Sequence, residues 1–126
     1  MIKLTFCLKR KAGMTREAFQ DYWRSTHAPL VKKHKDTLGI RRYVQTHTLG
    51  AIEDDALRAS RAGSLEAAPE IYDGVAELWF DSLEAIAAQS DDPAALAAGI
   101  ELLKDEATFI DLAKSPLWFS EENEVI

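Results

Sequence analysis

Cysteine is nearly absent from the sequence, since Cys7 is the only one among 126 residues. A single thiol cannot form an internal disulfide, so the hydrophobic core has to hold the fold, as is usual in a reducing cytoplasm. Long apolar runs are absent too, because no segment approaches the roughly 18 apolar residues that a membrane helix requires. The uncharged run from Leu4 to Leu8 is too short for a secretion signal. We therefore expect a cytoplasmic protein with no membrane partner.

Basic residues are outnumbered, with 15 Lys and Arg against 21 Asp and Glu, which gives a formal net charge of -6 and a pI near 5.0. Nucleic-acid-binding domains usually present a basic face, so this balance argues against nucleic acid as a partner. Glycine is sparse, and the six glycines are scattered without forming a phosphate-binding run. Nucleotide binding therefore has no support, and we predict no cofactor.

Alternating apolar residues identify the first strand in the segment IKLTFCLK. Ile2, Leu4, Phe6 and Leu8 fall on one side of this segment, and Lys3, Thr5, Cys7 and Lys9 fall on the other. This alternation is typical of a half-buried strand.

The first helix is predicted to run from Thr15, which is a good N-cap, to about Thr26. Pro29 disfavours helical geometry at Ala28, so we expect a kink or a break there before the helix resumes and ends at Gly39. Residues at helical spacing place one apolar face of this helix against the sheet, with a histidine among them. They are Phe19, Trp23, His27 and Leu30.

Three further strands are predicted at residues 40–49, at residues 72–80 and after Pro116. The connection of residues 50–72 is longer than an ordinary loop, so we expect it to be functional, partly helical or mobile.

Two helical pieces follow the third strand, and the second begins at Asp92. Its apolar residues at helical spacing are Leu96, Ile100, Leu103, Ala107 and Ile110. The order β-α-β-β-α-β indicates an α+β, ferredoxin-like fold with a four-stranded antiparallel sheet. We assign residues 1–126 to a single domain.

Helices cover only one face of the sheet in this fold, and we call the other the open face. We assign Ile40 and Val44 of the second strand to the helix-covered face. The open face is then predicted to carry Thr5, Cys7, Tyr43, Gln45, His47, Val75, Glu77 and Trp79. Strand 4 adds either Trp118 or the pair Leu117 and Phe119. Soluble monomers rarely leave such a patch in water, so we predict a homodimer whose two sheets enclose a chamber.

Three motifs carry a resemblance to the EthD domain family. They are F-x-x-Y-W-x-x-x-H-A-P-L-V, Y-V-Q-x-H on the second strand and Y-D-G-V-A-E-L-W-F-D-S on the third. The resemblance extends over nearly the whole chain and implies a dimeric α+β barrel, in which two ferredoxin-like sheets close around a cavity. Related members act as lactone isomerases, or as decarboxylases and dehydratases in fungal polyketide pathways. The resemblance therefore implies a small-molecule pocket more firmly than it implies any one reaction.

Glu77 and His47 are candidate catalytic residues of the chamber. A carboxylate between Val75 and Trp79 is costly to bury unless it is paired or protonated, and burial would suit it to acid/base work. The alternative for Glu77 is an ion pair with Arg41 or Arg42, or with the partner chain. His47 points toward the chamber, or it is an exposed histidine at a strand end.

His27 and Tyr43 complete the catalytic candidates, with Tyr43 as a hydrogen-bond donor. His27 is either a general acid or base at the chamber mouth or a structural histidine that fastens the turn at Pro29 onto the sheet. Its helix separates it from His47 and Glu77, so these three side chains do not converge on one point and we predict no metal site.

The predicted ligand pocket consists of Tyr43, Gln45, Trp79 and Trp118, whose aromatic rings either stack on a ligand or pack the dimer. We expect a homodimer that binds a small aromatic, lactone or polyketide-like molecule, with residues 50–72 as a lid or chamber wall. It would act without a cofactor as an isomerase, dehydratase, decarboxylase or monooxygenase. The alternatives are a non-catalytic carrier or accessory protein of a degradation pathway, and an interior that is only dimer core.

Overall fold

Four antiparallel strands form one sheet in the computed structural model, which describes all 126 residues. The strands are β1 (Ile2–Leu8), β2 (Arg42–His47), β3 (Gly74–Phe80) and β4 (Leu117–Ser120). Their order across the sheet is β2-β3-β1-β4, so the first and third strands in sequence lie at the centre. The predicted α+β, ferredoxin-like fold is confirmed.

The helices are α1 (Arg16–Tyr22), α2 (Ala28–Lys33), α3 (Glu53–Ala62), α4 (Leu83–Ala87) and α5 (Pro93–Phe109). Helices α1, α2 and α5 bury side chains against one face of this sheet, whereas α3 has no buried residue. Two short 3₁₀ turns, Ala88–Asp91 and Leu112–Lys114, follow α4 and α5. None of the helices has both the length and the apolar composition that crossing a membrane requires.

The helix does not break before Pro29. Thr15 caps it as predicted, but a π-helical turn, Trp23–His27, joins α1 to α2 without interruption. The backbone N–H of Ala28 donates to the carbonyl of Trp23, five residues back. A widened turn accommodates a proline that supplies no N–H and crowds the preceding turn, so the expected kink is replaced by a π turn.

A cluster of aromatic rings forms the core at one end of the sheet. The Phe19 ring centroid lies 5.7 Å from that of Trp23 and 5.4 Å from that of Phe109, and all three side chains are buried. Leu8 and Ala76 bury the sheet side of the same cluster. The helix-covered face is therefore the aliphatic side of β1, as predicted.

The phase of β2 differs from our prediction. Tyr43, Gln45 and His47 lie opposite helix-facing residues of β3, so they share the helix-covered face, while Val44 belongs to the open face. Ile40 is buried among helix-facing side chains, but it precedes the strand and is not part of its alternation. Our prediction counted the alternation of the second strand from Ile40. It therefore assigned every side chain of β2 to the wrong face of the sheet.

The open face carries Trp118 from β4, because Trp118 lies opposite Thr5, whereas Leu117 and Phe119 turn toward the helix side. Trp79 is also on this face, yet it is only 7% exposed. The Arg42 guanidinium lies 4.6 Å from the ring centroid of Trp79, and the indole N–H of Trp79 donates to Glu122 of the C-terminal segment.

Helix α5 presents a different face to the core from the one that its longest side chains suggested. Leu96, Ile100 and Leu103 are about half exposed, whereas the small residues Ala95 and Ala98 are buried. Small residues let the helix approach the sheet closely. The connection of residues 50–72 contains α3, which confirms that it is partly helical.

Asp73, at the start of β3, is a fully buried carboxylate that joins three elements. Its Oδ2 accepts from the backbone N–H of Arg10 at 2.8 Å, and its Oδ1 accepts from the Arg10 guanidinium at 2.5 Å and from Arg16 Nε at 2.9 Å. Burial alone raises the pKa of Asp73, but these donors outweigh it and the pKa is lowered overall. The carboxylate therefore ties the end of β1 and the start of α1 to the start of β3.

We expect Asp73→Asn to lower the free energy of unfolding by about 2 kcal/mol in chemical denaturation, because an amide pairs poorly with two guanidinium groups; their partial exposure keeps the loss below that of a fully buried pair. Since the pKa of Asp73 is lowered in the folded state, its contribution is complete above the ordinary carboxyl pKa and is lost as the pH falls through the folded value. The matched control is Asp81→Asn, which breaks an exposed pair with Arg41. Equal losses in the two variants would contradict this role of Asp73.

Gly74 is required where Trp23 packs on the sheet. A Cβ at this position would lie 2.4 Å from Cζ3 of Trp23 and 2.8 Å from the carbonyl oxygen of Thr46. Gly74→Ala should therefore destabilise the fold by about 2 kcal/mol, as overpacking of a filled core does. Gly99→Ala is the control, because Gly99 lies in helix α5 with no atom within 4 Å of its Cβ position, and it should stabilise by about 0.5 kcal/mol. A neutral effect of Gly74→Ala would show that Trp23 can move.

Candidate functional site

A cavity of about 270 Å³ lies between the helix-covered face of the sheet and the helices. We call it the inner cavity. Its walls are mostly apolar side chains of β1, β3 and α2, such as Phe6, Leu78 and Val31. Polar groups reach it at His27, Tyr43, Gln89 and Glu106. An apolar cavity with a few polar groups is typical of a small-molecule site.

His27 is held by a carboxylate on α5. Its Nδ1 lies 2.7 Å from Oδ2 of Asp105, whose Oδ1 accepts from the hydroxyl of Tyr22 at 2.5 Å. The His27 ring is buried, and its centroid lies 5.1 Å from that of Phe109. The arrangement links the π turn to α5.

The Asp105 contact sets which nitrogen of His27 can accept a proton. Nδ1 donates its hydrogen to the carboxylate, so Nε2 keeps its lone pair. Nε2 has no hydrogen-bond partner, and no side-chain nitrogen or oxygen that is sealed from solvent lacks one, so Nε2 borders accessible space. Burial lowers the pKa of His27 more than Asp105 raises it. The ring is therefore neutral at pH 7, with the form that a general base needs.

The hydroxyl of Tyr43 is positioned by two donors. It accepts from the indole N–H of Trp23 at 3.2 Å and from the side-chain amide of Gln45 at 3.1 Å. A phenol oxygen accepts two hydrogen bonds and donates one, so its own hydrogen remains available to a ligand. Burial raises the pKa of Tyr43 more than these donors lower it, which keeps the hydroxyl protonated.

Gln45 and His47 support Tyr43. The Gln45 amide nitrogen also donates to the Trp23 carbonyl at 3.0 Å, and Nε2 of His47 lies 2.9 Å from its amide oxygen. The His47 ring packs on Trp23 with centroids 4.5 Å apart. Burial, and then the charge of Arg24, lower the pKa of His47. The motif Y-V-Q-x-H thus forms one hydrogen-bonded row along the helix-covered side of β2.

Glu106 brings a carboxyl group to the inner cavity. It makes no hydrogen bond or ion pair within the protein, and burial followed by the adjacent charge of Asp105 raises its pKa to about 7. Tyr43 also lines this cavity, and the charge of Glu106 contributes to the raised pKa of Tyr43. At neutral pH this carboxyl is divided between its acid and its base form, as catalysis by proton transfer requires.

The predicted site residues divide between the two faces of the sheet. His27, Tyr43, Gln45 and His47 lie on the helix-covered side, where His27 and Tyr43 reach the inner cavity. Glu77, Trp79 and Trp118 lie on the open face. Glu77 is ion-paired with Lys3 at 2.7 Å, and Arg41, one of its predicted partners, is paired with Asp81 instead. The predicted pocket of Tyr43, Gln45, Trp79 and Trp118 is therefore not one surface within a protomer.

Asp105 and Glu106 were missed from the sequence. The available signal was a pair of acidic residues that interrupts the apolar spacing of α5 between Leu102 and Phe109. This signal was not used, because the longest apolar residues of α5 suggested that another side of the helix faced the sheet. No group of three or more His, Cys, Asp or Glu side chains is placed to hold a metal ion.

The chain is similar to several known proteins. The family model for the EthD domain matches residues 11–113. A decarboxylase of Claviceps purpurea is 29% identical over 121 residues, which cover 94% of this chain and 82% of the relative. A conidial pigment biosynthesis dehydratase of Metarhizium robertsii is 43% identical over 47 residues, which cover 37% of this chain and 33% of the relative.

Solved structures show the same fold. An ethyl tert-butyl ether (ethd) family protein of Bacillus halodurans aligns with a TM-score of 0.60 at 21% identity, over 98% of this chain and 99% of the other. A dimeric protein of unknown function with a ferredoxin-like fold, from Bacteroides fragilis, aligns with a TM-score of 0.57 at 14% identity, over 96% and 95%.

The carboxyl of Glu106 should titrate near pH 7 when followed by the NMR signal of its carboxyl carbon, which Glu106→Gln removes. Because its folded pKa is raised, its contribution to the free energy of unfolding is complete below the ordinary carboxyl pKa and is lost as the pH rises toward 7. Glu101 is the control on the same helix, since its hydrogen bond with His34 lowers its pKa. A Glu106 midpoint at the Glu101 value would mean that Glu106 is solvated.

Proposed function

The chain belongs to the EthD domain family, and from this premise we propose that it is an enzyme that transfers protons without a cofactor in a small aromatic or polyketide-like substrate. The observation that carries the proposal is the inner cavity, where the side chains of His27, Tyr43 and Glu106 line a mostly apolar space. A base, a neutral donor and a group with a pKa of about 7 are the parts of general acid–base catalysis.

The volume of the inner cavity supports a substrate of about two fused rings. A cavity of about 150 Å³ holds benzene, and the inner cavity measures about 270 Å³. Its lining is mostly aliphatic and aromatic, so a ring system would be bound chiefly by apolar burial.

Dehydration of a β-hydroxy ketone illustrates the chemistry that these groups support. Nε2 of His27 takes the proton from the carbon next to the carbonyl, and the imidazolium is stabilised by Asp105. The hydroxyl of Tyr43 donates to the carbonyl oxygen, where negative charge develops. Glu106 in its acid form gives its proton to the departing hydroxyl, which leaves as water while the carbon–carbon double bond forms. Solvent then returns the proton from His27 to Glu106.

The relatives support this class of reaction, since one is described as a decarboxylase and another as a dehydratase. Both reactions need a donor or an acceptor of protons at carbon or oxygen, and neither requires redox chemistry. Isomerisation uses the same groups.

We also propose that the protein is a homodimer joined through the open face. Trp118 is 46% exposed there and lies on the same face as Val44 and Val75, while a structural neighbour is described as a dimer. Two such faces packed together would cover these side chains. A chamber between the two faces is the alternative place for a ligand.

A carrier is the second candidate function, because an apolar cavity binds a pathway intermediate equally well without catalysis. The raised pKa of Glu106 favours the enzyme, since a carrier gains nothing from a carboxyl that apolar walls desolvate.

Turnover by variants separates these functions. With 3-hydroxy-1-tetralone as a two-ring test substrate that dehydrates to 1-naphthol, we expect His27→Gln to lower kcat about 100-fold and Tyr43→Phe to lower it about 10-fold, because each removes a group that acts in the transition state. Glu77→Gln is the control on the open face and should keep full turnover.

Two results would contradict the proposal. Loss of turnover in Glu77→Gln but not in His27→Gln would place the site on the open face. Binding of the product 1-naphthol without turnover of any β-hydroxy ketone, aromatic carboxylic acid or lactone would favour the carrier.

A further inference from the structure

The inner cavity reaches the surface between helix α5 and strand β4. Of the 18 residues that line it, only Gly99 of α5 and Leu117 of β4 are exposed. Leu117 lies opposite Phe6, which also lines the cavity, and β4 is an edge strand of the sheet. We call the gap between Gly99 and Leu117 the mouth.

Packing does not explain the glycine at position 99. A glycine in a helix interior lowers the stability of the helix relative to alanine. Gly74 is required because Trp23 packs on it, whereas no atom lies within 4 Å of a Cβ built at Gly99. The effect of Gly99 is therefore to leave the space at the mouth empty.

Exposed apolar side chains surround the mouth. Leu96 and Leu103 stand three residues before and four residues after Gly99, so they are its neighbours on the helix surface. They are 50% and 53% exposed. On β4, Phe119 is 44% exposed and lies opposite Leu4, which lines the cavity. We give the name apolar rim to Leu96, Leu103, Leu117 and Phe119.

The polar groups of the inner cavity lie away from the mouth. Glu106 follows Gly99 by seven residues, which is about 10 Å along the helix axis at 1.5 Å per residue. His27 is buried and bonds to Asp105, the neighbour of Glu106. A ligand that presents its polar end to these groups therefore has its other end near the mouth.

From these observations we propose that the ligand of the inner cavity carries an apolar substituent, such as an alkyl chain, that leaves through the mouth and packs on the apolar rim. This inference rests on the proposed function, because it names the substrate class of the same site. The rim continues the apolar wall of the cavity, and a ligand that covers it removes a cluster of apolar side chains from water. Leu117 and Phe119 lie on the helix side of the sheet, so a dimer joined through the open face leaves the mouth free.

Matched ligands test the rim by isothermal titration calorimetry on the full chain. 2-Naphthol and 6-hexyl-2-naphthol share the rings and the hydroxyl and differ only in the chain at the far end. We expect the hexyl compound to bind at least about ten times more tightly, because the rim removes the chain from water. Leu103→Gln should reduce this gain at least about threefold and leave the affinity for 2-naphthol unchanged, because it replaces an apolar contact of the chain alone.

The control for the rim is Leu57→Gln. Leu57 is 60% exposed on α3, which has no buried residue, and it does not line the inner cavity. The same chemical change is thus made on another exposed helix. Equal loss of the gain in the two variants would overturn the rim as the place where the chain binds.

Association rates test the mouth, by stopped-flow fluorescence of 2-naphthol. Gly99→Leu fills the mouth and should slow association at least about tenfold, because the ligand then has to wait for the side chain to move. The control is Ala97→Leu, at an exposed residue of the same helix that does not line the cavity, and it should leave the rate unchanged. Equal rates in the two variants would overturn the mouth.

The outcomes distinguish the two proposals, with circular dichroism as the check that each variant is folded. Binding of 2-naphthol with no gain from the hexyl chain would overturn the inference and leave the proposed function intact. A lower mass of Leu103→Gln than of the unmodified chain in light scattering would also overturn the inference, because the rim would then join two copies of the chain. The expected gain and losses without turnover of 3-hydroxy-1-tetralone would support the inference and contradict the enzyme. Binding of neither compound would overturn both.

Discussion

The buried carboxylate of Asp73 is the interaction on which the architecture of the site depends. Asp73 is the residue directly before β3, and its hydrogen bonds tie it to the end of β1 and the start of α1. The next residue is Gly74, the first of β3. Trp23 packs on Gly74 because no Cβ stands there. Trp23 in turn donates to Tyr43 and supports the His47 ring. The position of the Tyr43 hydroxyl therefore follows from an ion cluster at one end of the sheet.

The inner cavity combines groups from two sides that the sequence separates widely. The sheet supplies Tyr43, which is held by its neighbours along β2, and the helices supply His27 and Glu106. Burial has the largest effect on the pKa of all three groups, because it disfavours the charged form of each: it raises the pKa of Tyr43 and of Glu106 and lowers that of His27. A neutral base and a neutral donor can therefore coexist in one apolar space, where hydrogen bonds orient them.

The order of elements could be predicted because the apolar alternation of β1 and the N-cap at Thr15 are strong local signals. The phase of β2 could not, since Ile40 enters the core from outside the strand and nothing local marks Arg42 as its first residue. That single shift placed Tyr43, Gln45 and His47 on the wrong face. The buried face of α5 could not be predicted for a different reason. Apolar residues lie on most sides of this helix, so its buried face depends on how closely it packs against the sheet, which the sequence pattern does not reveal.

The π turn at Trp23–His27 gives the first helix one residue more than a regular helix of the same height would hold. In a regular helix each residue turns by about 100°, so side chains four apart are displaced by about 40° around the axis. The wider turn takes up one extra residue and cancels this displacement between Trp23 and His27. The extra residue therefore keeps the rings of Trp23 and His27 on the same side of the helix, where both line the inner cavity.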